Sequence, residues 1–156
     1  QSNSDRTQRL APRPCLESQA AAITLQEAPP LRMPMKTSEQ LDMAITAHAK
    51  WKGRLRDAIE TGRSDWSLQR LRSDTLCDFG KWLQTLPLSE RLAERFQRIR
   101  DLHRDFHAEA AKILSMALSG QRAEAEAALA LGSAFGGISC RLVLELEAWR
   151  QSAAAV

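Results

Sequence analysis

The chain has 156 residues, 44% of them hydrophobic, and a formal net charge of +3. That length fits one domain with enough apolar material for a core, and its interspersed charges leave no basic stripe for DNA or RNA. The sequence is read as having no signal peptide and no apolar run approaching the roughly 18 residues of a membrane span, and its three scattered cysteines suit no disulfide framework, so a cytoplasmic protein is expected.

Residues 1–36 carry five of the six prolines and five basic against three acidic side chains. They show little periodicity and read as a flexible tail or linker, with a helical patch at Ser18–Gln26 and with Cys15 inside it. The opening Gln1-Ser2-Asn3 resembles the remnant of a cleaved tag, so the chain is expected to be a piece of something longer. Residues 37–156 form the folded part.

A first helix is expected after Thr37, whose hydroxyl can cap while Gln40 reaches back. Its inward stripe is Leu41, Ile45, His48, Trp51, Leu55 and Ile59, and Gly62 is its stop. A second helix is predicted from about Ser67 to Leu86, burying Leu68, Leu71, Thr75, Phe79, Trp82, Leu83 and Leu86. Cys77 lies beside that stripe. Gly80 interrupts it at a cost of about 1 kcal/mol relative to alanine, which suggests that something approaches closely there.

Pro87 ends the second helix, and Ser89 is a cap for a long third one. Leu92, Phe96, Ile99, His103, Phe106, Ala110, Ile113 and Ala117 follow its helical period, with His107 one turn beyond His103. Ser119-Gly120 stops it. An alanine-rich fourth helix covers about Arg122 to Leu131. Gly132 then fits a left-handed turn, and Ser133 caps a fifth helix carrying Phe135, Ile138, Leu142, Leu146 and Trp149. No segment alternates as a strand does. The expected class is all-α, an antiparallel four-helix bundle of about five helices, in which the fourth and fifth share one column.

On these helices lie all three histidines of the chain and one of its cysteines: His48, Cys77, His103 and His107. The i, i+4 spacing of His103 and His107 puts both imidazoles on one side of a helix. A lone interior histidine is ordinarily a hydrogen-bonded core residue, and a lone interior cysteine a small hydrophobe. Burying all four unpartnered would cost a few kcal/mol each, whereas one Zn(II) ion satisfies the whole set. Thiolate plus imidazole donors favour zinc, and four protein ligands make a closed site of structural or regulatory type. Asp74, Asp78, Asp101 and Asp105 are candidate outer partners for the imidazoles, and Trp51, Phe79, Trp82 and Phe106 are expected to pack around the site.

Three contexts stand in order along the chain: His48-Ala49-Lys50-Trp51-Lys52 (HxxWK), Cys77-Asp78-Phe79-Gly80-Lys81-Trp82 (CxFGxW) and His103-Arg104-Asp105-Phe106-His107 (HxxxH). Together they resemble the chemoreceptor zinc-binding (CZB) domain of bacterial signalling proteins. The likeness runs from about Leu41 to about Trp149 and includes Ala123 to Phe135, similar to the tail of chemotaxis-type members. It implies a non-enzymatic cytoplasmic sensor of zinc or of hypochlorous-type oxidants, often a homodimer, that controls a chemoreceptor signalling module or a diguanylate cyclase. Two alternatives stand beside it: an interaction module with purely structural zinc, and a metalloenzyme, which would need an open coordination position. Three histidines are too few for a hemerythrin-like di-iron carrier.

Overall fold

A computed structural model describes residues 36–154. The tail expected over residues 1–36, including the patch at 18–26 and Cys15, lies outside the described residues except for Lys36. The described part is all-α, and no strand occurs in it.

The first helix, α1 (Thr37–Thr61), is capped one residue earlier than predicted and so begins at Thr37 itself. Lys36 is the cap residue, and its backbone N–H donates to the Glu39 carboxylate at 3.1 Å. Glu39 thus performs the reach-back expected of Gln40, and its charge suits the helix N-terminus. The inward stripe is Leu41, Ala44, His48, Trp51, Leu55, Ala58 and Ile59, with Ile45 half-buried at its margin. Gly62 ends the helix at φ +66°, its N–H donating to Ala58 O at 2.9 Å.

The expected second helix is two helices, α2 (Leu68–Arg72) and α3 (Asp78–Thr85), separated by residues 73–77. Leu71, Phe79 and Leu83 are buried as predicted, but Thr75 sits in the break and faces solvent. Gly80 is therefore not a mid-helix glycine. It stands in the first turn of α3, where a Cβ would lie 1.8 Å from the backbone carbonyl oxygen of Asp74. The chain folds back onto α3 at this point, and only glycine leaves room for it.

The one-turn helix α4 (Leu88–Arg91) follows Pro87 and precedes α5 (Glu94–Leu118). The long helix thus starts at Glu94, not Ser89, because Leu92 and Ala93 turn the chain first. Leu92 is consequently 70% exposed instead of inward-facing. From Phe96 onwards the predicted stripe holds, with Ile99, His103, Phe106, Ala110, Ile113 and Ala117 all buried.

The helix α6 (Arg122–Leu129) buries Ala125 and Leu129, and α7 (Ala134–Ala154) buries Phe135, Leu142, Leu146 and Trp149. Gly132 turns between them at φ +88°, and the Ser133 hydroxyl accepts from Gly136 N–H at 3.1 Å. The expectation of no long apolar run is corrected here, since an 18-residue window within Arg122–Ala154 has a mean hydropathy of 1.6, enough by composition to cross a membrane. The segment mixes alanines and glycines with outward-facing Leu131 and Leu144. It is not one helix, because the backbone breaks at Gly132.

Cross-links define how the columns run. Arg150 near the end of α7 pairs with Asp42 near the start of α1 at 3.0 Å, and Arg95 at the start of α5 donates to Ser152 at 2.9 Å. α7 is therefore antiparallel to both α1 and α5, and α1 and α5 run in parallel. The short helices α2, α3 and α4 return the chain between them. The result is a four-column, up-and-down bundle with Leu41, Leu55, Ile99, Ile113, Leu142 and Leu146 fully enclosed.

Candidate metal centre

The parallel course of α1 and α5 brings His48 to the level of His103 and His107. All three imidazoles are buried, and one ring nitrogen from each lies within 4.8 Å of the others. The Nε2 atoms of His103 and His107 are 3.1 Å apart. Cys77 Sγ lies 3.3 Å from His103 Nε2, although Cys77 is outside the set of three mutually close donors. The four residues singled out in the sequence are thus brought together, three as a tight cluster and Cys77 against one member of it.

Backbone carbonyls orient two of the rings. His48 Nδ1 is 2.7 Å from Ala44 O, and His107 Nδ1 is 2.7 Å from Leu71 O. A carbonyl oxygen can only accept, so each Nδ1 carries the proton and each Nε2 keeps its lone pair for the site. Of the aspartates expected in this role, Asp74 acts on His107 through its charge, and the other three do other things. Asp101 and Asp105 pair with Arg100 and Arg104 on the surface, and Asp78 pairs with Lys81. Asp74 contributes its backbone carbonyl, 3.5 Å from Cys77 Sγ.

Cys77 owes its place to the break before α3. It is the N-cap of that helix, and its Sγ accepts from Gly80 N–H at 3.2 Å. An N-terminal helix position and a backbone N–H both favour negative sulfur. Burial opposes this and is the larger effect, raising the thiol above its ordinary value, while the N–H groups of Gly80 and Phe79 pull it back.

Burial also keeps the histidines neutral. It lowers His48 to about 4, partly offset by the bond to Ala44, and lowers His103 to about 2 with help from the neighbouring imidazoles. His107 is lowered by burial too, against the opposing bond to Leu71. Neutral imidazole is the ligating form.

Packing around the cluster is aromatic. Phe79 and Phe106 meet His48 edge-on with ring centres 5.7 and 5.0 Å away. Trp82 stacks on Phe79 and leans on Trp149, while Trp51 pairs with Trp66. The expected packing role therefore holds for Phe79 and Phe106, in contact with the histidines, and for Trp82 a layer outside, whereas the ring contacts of Trp51 are with Trp66 and Arg54.

The donor set fits a metal ion. Tetrahedral zinc with bonds of about 2.0–2.3 Å spaces its ligand atoms about 3.3–3.7 Å apart. The separations of 3.1 and 3.3 Å around His103 are close to that, and the three histidines, with ligand atoms within 4.8 Å of one another, could hold a metal ion.

Residues 48–114 match the family model of the chemoreceptor zinc-binding domain. The match takes in His48, Cys77, His103 and His107 and stops short of the stretch from Ala123 to Phe135. No curated protein and no solved structure matches the chain. The HxxWK, CxFGxW and HxxxH contexts and the buried histidine cluster thus all lie within the matched segment, and over residues 48–114 the chain is similar to the chemoreceptor zinc-binding domain.

Proposed function

We propose that this chain is a regulatory zinc-binding module in which His48, Cys77, His103 and His107 hold one Zn(II) ion and Cys77 makes the site responsive. The observation that carries this reading is the convergence of three buried, neutral imidazoles with the Cys77 sulfur 3.3 Å from His103 Nε2. Bound zinc would supply the positive charge that holds the Cys77 sulfur as thiolate despite its burial. Ala44 and Leu71 keep the His48 and His107 tautomers in the ligating form.

Sensing follows from the single thiolate. Hypochlorous acid transfers oxygen to the Cys77 thiolate, giving a sulfenic acid and chloride. The soft anionic donor is lost, metal affinity falls, and the start of α3 loses its cap. The family resemblance supports a cytoplasmic, non-catalytic role as a homodimer controlling a chemoreceptor signalling module or a diguanylate cyclase. The second reading, purely structural zinc, draws on the same closed donor set.

Metal content of the purified chain, measured before and after mild hypochlorous acid, tests the proposal. One zinc per chain is expected beforehand and a substantial loss afterwards. A chain that never contains zinc removes the metal reading. Zinc that stays bound with Cys77 demonstrably oxidised leaves only the structural role.

A further inference from the structure

An open groove of about 370 Å³ lies between α3, α4 and the first half of α5, within the range of small-molecule sites, about 300–1,000 Å³. Its floor is apolar, formed by the core residues Leu83 and Phe96. Its lip is made by Leu88 and Leu92, four residues apart and 62% and 70% exposed. Leucines this exposed leave apolar surface in water, and here both overhang a concavity.

The rim is polar and unevenly charged. Arg100 is held by Asp101 at 3.0 Å, whereas the Arg91 guanidinium has no ion-pair partner among the described residues. Gln97 secures that end of the groove by donating to the Arg91 carbonyl at 2.5 Å. At the other end stand Gly80, Asp74 and His103. A cation without an ion-pair partner among the described residues, beside an apolar trough, suits a ligand with a negative head and an aliphatic tail.

We propose that this groove binds a small aliphatic monocarboxylate, its tail over Leu83, Leu92 and Phe96 and its head at Arg91. His103 closes the inner end, so occupancy of the groove and of the metal centre are coupled. The coupling rests on the zinc reading above, the binding does not, and linkage makes the effect reciprocal.

Octanoate is the probe. Titrated into the nitrogen-15-labelled protein, it is expected to shift the amide resonances of Gly80, Leu83 and Phe96 saturably, with Arg91→Ala weakening binding about fivefold, the scale of one partly exposed charge pair. Leu92→Glu, an exposed change that leaves the fold intact, is expected to abolish binding. Octanol binding as tightly as octanoate, or both variants titrating like the parent, overturns the proposal. Chelator competition with and without octanoate reads the coupling: a zinc dissociation constant that changes at least twofold supports it, and an unchanged one refutes it. A protein that binds octanoate but no zinc keeps the groove and refutes the metal reading instead.

Discussion

Cys77 serves two functions through one atom: its sulfur caps α3 by accepting from Gly80 N–H, and it stands beside the His103 ring. The two are separable by substitution. Serine is a good N-cap, whereas alanine is not, and loss of a cap costs about 1 kcal/mol. In metal-free protein, Cys77→Ser is expected to melt close to the parent and Cys77→Ala about 1 kcal/mol lower. Both are expected to lose at least about 100-fold in zinc affinity, since even altering an outer partner of a ligand typically costs 10–100-fold. Thermal melts and chelator competition check this, and a serine variant with parental affinity would show that sulfur is not a ligand. Much of the site was legible at this scale: the i, i+4 pair His103 and His107 and the apolar stripe around His48 are local patterns. Ala44 was also within reach, four residues before His48 on the same helix. The Leu71 carbonyl was not, because it meets His107 from 36 residues away in sequence.

Helices α3, α4 and α5 differ most from their sequence patterns. Leu92 continues the apolar period of α5, and nothing local distinguishes it from Phe96. Residues 88–93 nevertheless form a separate turn, so the period starts one turn later and Leu92 faces outward. Substitution tests this directly. Leu92→Gln is expected to change stability by no more than about 0.5 kcal/mol, whereas Phe96→Ala is expected to cost about 3–5 kcal/mol. Urea unfolding of the two variants measures both, and a large loss at Leu92 would restore it to the core. The break between α2 and α3 has the same origin. The Asp74 carbonyl presses on Gly80, a contact made possible by the missing side chain and required by the tight return of the chain.

At the scale of the whole molecule, the histidine cluster joins the two parallel columns α1 and α5, and Cys77 and the Leu71 carbonyl add the returning segment between them. A metal there links three parts of the bundle that are distant in sequence. Zinc present at about 1,000 times its dissociation constant is expected to stabilise the fold by about 4 kcal/mol, lost on adding a chelator. Calorimetry with and without chelator measures this, and identical transitions would mean that the ion does not bridge the columns. The metal-free protein is also expected to be acid-sensitive in a defined direction. Burial lowers His48 from 6.5 to about 4, so the unfolded chain takes up the proton first. The stability is present in full above about pH 6.5 and falls as the pH drops from there towards 4. Urea midpoints of metal-free protein at pH 7 and pH 5 read the sign, and a higher midpoint at pH 5 would contradict it.

The sequence by itself determined the helical class, the apolar stripes of the long helices, the glycine turns at Gly62 and Gly132, and the three histidines that cluster, because helix periodicity, backbone freedom and side-chain chemistry are local properties. Only the tertiary structure decided where the second column breaks, that Cys77 caps a helix, which carbonyls orient the histidines, and that Leu88 and Leu92 overhang a groove. Each of these depends on which backbone or side chain arrives from elsewhere in the chain, and close packing admits one arrangement where the local pattern is compatible with several.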